Sequence, residues 1–145
     1  MTREHLLATL KEFSGALEDG LRVIDAGLSC DPFGEIDLLA VDRASRLAII
    51  DLAATPDDGL MLRGMSHLEW IVRNSANLRR MHQGVVADFS SQPRLFLVAP
   101  QFSPLFKSAV HQIADLDIAC VRYHGVDISE RVGIFFERVG GGDGE

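Results

Sequence analysis

Lysine is almost missing from this chain: of 145 residues, only Lys11 and Lys107 carry an ammonium group. Basic residues number 14 against 21 acids, giving a net charge of −7 and a pI near 5.1. So few cations disfavour strong stand-alone binding to nucleic acid, which relies on neutralising phosphates with Lys and Arg. Only two cysteines are present, Cys30 and Cys120, far apart and in no metal-ligand spacing. They read as buried thiols in a reducing compartment, so the expected location is cytoplasmic. No run of about eighteen apolar residues occurs, so no membrane span is expected. The N-terminal MTREHLLATLKEF carries acids and has no signal-peptide cleavage pattern. A phosphate-binding glycine loop is also lacking, since Gly140 to Gly142 belong to a tail. The five histidines (His5, His67, His82, His111, His124) show no metal spacing, and Ser14, Ser90 and Ser91 sit in no nucleophile elbow.

What is present is a globular composition, 47% hydrophobic and 24% charged. Its length fits one domain with a proper core. We expect that domain over residues 1–139, followed by a disordered Gly-rich tail at 140–145. Charge is unevenly spread. Residues 1–60 hold five basic and twelve acidic residues. Residues 61–82 hold Arg63, Arg73, Arg79 and Arg80 against Glu69 alone. Any polyanion contact should use that segment, with Arg63 and Arg73 the candidates, although a solvated helix face explains the same pattern.

Periodicity predicts a helix from Thr2 to Gly20, with Leu6, Leu10, Phe13 and Leu17 on one stripe. A strand follows over Leu21 to Leu28, then a turn over Ser29 to Gly34. Ile36 to Val41 and Leu47 to Ala54 read as a hairpin around Asp42 to Arg46. Centring the turn on Ala44 pairs 41 with 47, 39 with 49 and 37 with 51. Asp37 then faces Asp51, and Glu35 faces Ala53. Facing like charges destabilise a hairpin, so the pair needs a bound cation, a shared proton or a displaced register. Beyond it the pattern predicts a helix from Leu60 to Met81, a buried strand over Arg94 to Ala99 and a helix from Pro104 to Asp115. Strands over Ile118 to Tyr123 and Arg131 to Val139 complete the chain. The fold class is therefore α/β, a mixed β-sheet flanked by helices in the order α-β-β-β-α-β-α-β-β.

Gly34-Glu35-Ile36-Asp37-Leu38-Leu39-Ala40, followed by Ile49-Ile50-Asp51-Leu52-Ala53, resembles the PD-(D/E)XK nuclease superfamily. This is the restriction-endonuclease-like fold, and the similarity is nearest to its NucS and RecB-like branch, over roughly residues 5 to 125. The resemblance implies a Mg²⁺ site (Mn²⁺ in vitro) at Asp37, Asp51 and the carbonyl of Leu52. Glu35 could contribute there or simply add repulsion, and Glu18 could be an outer ligand from the first helix or a surface residue. Two acids, a carbonyl and water suit octahedral magnesium, which would activate the attacking water. Ala53 stands where the family has a lysine. A missing group of that kind commonly costs about 10²–10⁴ in rate. Lys11 or Arg63 are the candidates to replace it, though a guanidinium is no base. His67, in the second helix, reads as a surface or packing residue.

Three functions follow. The first is a nuclease-fold domain with a degenerate site, non-catalytic or weakly active and without a metal cofactor, serving nucleic-acid-related binding or assembly. The second is an active Mg²⁺-dependent nuclease with a relocated base. The third is an α/β homodimer or interaction module without a nucleic-acid role, using an apolar surface near Trp70, Phe102 or Phe135-Phe136.

Overall fold

A computed structural model describes residues 1–113, 115–129 and 131–141. Its elements are α1 (Arg3–Glu12), β1 (Arg22–Ser29), β2 (Glu35–Val41), β3 (Leu47–Leu52), α2 (Gly59–Arg73), α3 (Ser75–Met81), β4 (Arg94–Ala99), α4 (Pro104–Gln112), β5 (Ile118–Ile128) and β6 (Arg131–Gly141). A 3-10 turn, Ser14–Ala16, follows α1.

The six strands form one sheet in chain order. β1, β2 and β3 are antiparallel, β3, β4 and β5 are parallel, and β6 returns antiparallel to β5. The parallel pairs arise because a helical crossover follows β3 and another follows β4. The hairpin register is the expected one, with Val41 opposite Leu47 and Leu39 opposite Ile49. Its turn closes as Asp42 N donates to the Arg46 carbonyl and Ser45 N to the Asp42 carbonyl.

Helices cover both faces. Leu6 and Leu10 of α1 pack on Leu38, Ala40, Ile50, Leu52 and Phe96. Leu60, Leu68 and Ile71 of α2, Leu78 of α3, and Phe106 and Val110 of α4 pack on Leu39, Ile49, Leu95 and Leu97. Each fully buried leucine is worth about 1.5–3 kcal/mol. Two such residues fix α1 on its face, and with it the side chains at its start. Gly64 lets α2 press onto β4, since a Cβ there would lie 2.8 Å from Leu97 Cδ2.

Several boundaries differ from the sequence pattern: β3 ends at Leu52 and α4 at Gln112, each short of the expected end, and four others change more. α1 stops at Glu12, because Gly15 is a poor helix residue and the chain tightens into the 3-10 turn. Phe13 therefore leaves the stripe and is 59% exposed. The long second helix breaks at Asn74, whose side-chain amide donates to the Trp70 carbonyl, leaving α2 and α3 as separate helices. β5 runs past Tyr123 to Ile128 because β6 pairs along its length. β6 likewise includes Gly140 and Gly141, which were expected in the tail; residues 142–145 lie outside the described residues. Both cysteines are free and buried, and burial pushes their thiols up to about 11 for Cys30 and about 12 for Cys120. Among the described residues, no helix is long and apolar enough to cross a membrane.

Candidate functional site

Asp37 and Asp51 meet where β2 begins and β3 ends. The paired ladder stops one step earlier, at Leu38 and Ile50. Beyond it, Asp37 N donates to Asp51 Oδ1 at 3.3 Å instead of to a backbone carbonyl. Asp37 is 7% exposed, and Asp51 and His67 are fully buried. Alternation slips here: Ile36 packs on the α2 side, whereas Leu38 packs on the α1 side. Asp37 thus lies where both helical layers can reach it.

Both layers do reach it, with cations. Arg3, the first residue of α1, donates from its guanidinium to Asp37 Oδ1. Asp37 Oδ2 accepts from Leu52 N at 2.8 Å and lies 3.8 Å from a terminal nitrogen of Arg63. That same Arg63 nitrogen donates to the Leu52 carbonyl at 2.7 Å. Burial pushes the Asp37 carboxyl above the ordinary range; the Leu52 N–H pulls it down, Asp51 raises it, and Arg3 and Arg63 lower it.

Asp51 is held by His67. Nδ1 of the ring is 2.7 Å from Asp51 Oδ2, and Nε2 is 2.8 Å from the Phe33 carbonyl. Both partners are acceptors when Asp51 is ionised, so both ring nitrogens carry protons and the ring is an imidazolium. Burial alone would lower its pKa; the hydrogen bond and charge of Asp51, with the Phe33 carbonyl, hold it above the ordinary value despite Arg63 nearby.

His67 is therefore neither a surface residue nor simple helix packing. Its place on the buried stripe of α2, with Leu60, Gly64, Leu68 and Ile71, was the signal available. Arg3 went unnoticed in the sequence. Its signal is a cation in the first turn of a helix, where the helix dipole disfavours positive charge.

The other expected residues lie elsewhere. Glu18 is not an outer ligand. It forms a two-pronged pair with Arg94, at 2.5 and 2.7 Å, at the opposite end of the sheet. Lys11 is exposed at the last turn of α1, about 12 Å along the helix axis from Arg3. Glu35 pairs in register with Ser29 of β1 and is exposed. Arg73 is bound by Glu69 one helical turn away. Ala53 packs its methyl in the core on the Asp51 side, at 7% exposure. Of the apolar residues considered for a dimer, Phe102 is buried against Phe106, Trp70 is half-buried, and Phe135 is 51% exposed.

These residues do not fit magnesium as they stand. Every oxygen of the expected ligand set already accepts from the chain: Asp37 from Arg3 and Leu52 N, Asp51 from Asp37 N and His67, the Leu52 carbonyl from Arg63. Magnesium needs ligands at about 2.0–2.1 Å, the space these donors fill. No group of three or more His, Cys, Asp or Glu among the described residues could hold a metal ion.

No protein-family model and no curated protein matches the chain. Solved structures do. Over 83% of its length the chain superposes on a protein chain of an EndoMS–dsDNA complex, with a TM-score of 0.60, 15% identity and coverage of 44% of that chain. Over 81% it superposes on a repair endonuclease from Pyrococcus abyssi, with a TM-score of 0.53, 16% identity and coverage of 46% of that chain. The chain spans less than half the length of either. Its fold is the restriction-endonuclease-like fold of the NucS type, as the motif around Asp37 implied.

Proposed function

We propose that this chain is a nuclease-fold domain that does not cleave phosphodiesters and serves nucleic-acid-related binding or assembly. One observation carries the reading: the two acids that a nuclease of this fold would offer to a metal are neutralised by Arg3, Arg63 and His67. Ala53 adds to it, because an alanine can neither orient a nucleophile nor stabilise charge. The active-nuclease alternative needs a relocated base. Lys11 is a helix length away, and the Arg63 guanidinium stays protonated.

Two features support a binding role. The fold is shared with an EndoMS bound to dsDNA. The basic segment also keeps cations on α3: among the described residues, neither Arg79 nor Arg80 forms an ion pair, unlike Arg63 and Arg73. Arg80 borders a groove of about 700 Å³ along β1, with Trp70, Asn74 and Asn77. A base stacked on an aromatic ring with its phosphate on an arginine is a common single-strand contact.

The test is incubation of the purified chain with Mg²⁺ or Mn²⁺ and single-stranded, double-stranded and branched DNA. We expect no more cleavage from the wild type than from Asp51→Ala. Robust cleavage that disappears in Asp51→Ala would overturn the proposal.

A further inference from the structure

We infer that Arg3 and Arg63 together stand in the place of a divalent cation, so that this chain carries a latent metal site closed by its own side chains. The inference rests on the degenerate-site reading above and goes beyond it by naming what fills the site.

The two guanidiniums bring as much positive charge as one divalent ion, with His67 holding Asp51 beside them. Their contacts match one as well. A terminal nitrogen of Arg63 lies between the Leu52 carbonyl, at 2.7 Å, and Asp37 Oδ2, at 3.8 Å, two oxygens that a metal at this site would share. Arg3 takes the remaining oxygen of Asp37. The two arginines come from opposite helical layers, α1 and α2, and converge on one carboxylate. No local periodicity requires that convergence.

Arg63 also leaves its Nε buried with no hydrogen-bond partner. A side chain placed for its own hydrogen bonding would not orphan that group. The geometry favours the terminal nitrogen's position over the satisfaction of Nε. The reason is electrostatic: two carboxylates across one ladder repel, and something positive must lie between or beside them. A metal would do this only at sufficient concentration, whereas a guanidinium is attached and always charged. The chain therefore needs no divalent ion for this end of the sheet.

The inference predicts that removing the arginines frees Asp37 Oδ1 and the Leu52 carbonyl for a metal, while His67 stays on Asp51. Mn²⁺ is titrated into wild type, Arg3→Gln, Arg3→Gln/Arg63→Gln, and that double variant with Asp37→Asn, with calorimetry and thermal unfolding as readouts. We expect no saturable Mn²⁺ response from wild type. The double variant should unfold at lower temperature without metal, recover on adding Mn²⁺, and bind it at least about tenfold more tightly than wild type. Asp37→Asn should abolish that gain.

If the double variant fails to fold alone, refolding with Mn²⁺ should rescue it. Arg3→Gln, whose replaced side chain is 43% exposed, should then show a weaker Mn²⁺ response. Wild-type binding at Asp37 as tight as the double variant's would overturn the inference. So would a double variant with neither a Mn²⁺ response nor rescue. The two readings fail separately. Wild-type cleavage without Mn²⁺ binding to Asp37 would sink the proposed function alone. Wild-type Mn²⁺ binding without cleavage would sink the stand-in alone.

Discussion

The two ends of the sheet balance charge around different centres, a pair of carboxylates at one and a single buried guanidinium at the other. At one end, two carboxylates meet Arg3, Arg63 and His67. At the other, one buried guanidinium, Arg94, meets three carboxylates: Glu18, Asp42 and Asp117. Arg46 and Arg138 add positive charge there, the first 3.1 Å from Asp117 and the second 3.6 Å from Glu18. Arg94 also lies over the Phe96 ring, 5.0 Å from its centroid. Its end ties the segment after α1, the β2–β3 turn and the start of β4 into one cross-link. The Asp37 end is different in kind: its two acids are met by cations from both helical layers, and one of those donors, Arg63 Nε, is left unmet. The Arg94 network reads as architecture, and the Asp37 cluster, under the proposed function, as a converted site.

If that contrast holds, the largest stability loss should come from the Arg94 end. Arg94→Ala removes the one charge that, among the described residues, three acids share, and should destabilise the chain by about 3 kcal/mol, the low end for breaking a buried ion pair. The low end applies because Glu18 and Asp117 keep 29% and 23% of their side chains exposed. Urea unfolding would measure it, and a change under 1 kcal/mol would erase the architectural role. His67→Ala should come next, costing about 2 kcal/mol by leaving the buried Asp51 Oδ2 without its donor and the Phe33 carbonyl without its His67 contact. The same unfolding experiment reads it, with no loss as the contrary result.

Arg3→Ala should cost about 1 kcal/mol or less, because its side chain is 43% exposed and surface pairs are weak. A larger loss than His67→Ala would reverse the order of burial that distinguishes the members of the cluster. The smallest effect is in pH dependence. The Arg94 hydrogen bond lowers the Glu18 pKa from its ordinary 4.5, ahead of the opposing effect of burial. A depressed carboxyl stabilises the fold above its unfolded pKa and loses that contribution as pH falls through its folded pKa. Stability should therefore fall below about pH 4.5 in wild type, and Glu18→Gln should flatten that limb. An identical limb in both would remove Glu18 from the linkage.

Much of the frame could be read from residue order. The hairpin register follows from Asp42 to Arg46 between two apolar runs, and it carries Asp37 next to Asp51. The parallel pairing follows from strand, helix and strand of crossover length. Glu18 was misplaced because the stripe of α1 was carried through Phe13 to Leu17. The helix instead stops at Glu12, and the chain turns Glu18 toward Arg94. Arg63 is legible only as a cation reaching the site from the second helix, and neither Arg3 nor the His67–Asp51 pairing is legible, for a related reason. Where an arginine reaches depends on how two helices pack on opposite faces of the sheet, which periodicity does not encode. Only the apolar half of that packing, Leu6 and Leu10 on one side and Leu60 and Leu68 on the other, shows in the pattern.

The most direct measurement is the ¹H–¹⁵N spectrum of the wild-type chain as Mn²⁺ is added. With the site filled by its own arginines, the Asp37 and Leu52 amide signals should persist, losing no more intensity than amides across the protein. Selective broadening of those two signals at low Mn²⁺ would place a metal between the aspartates and contradict the account.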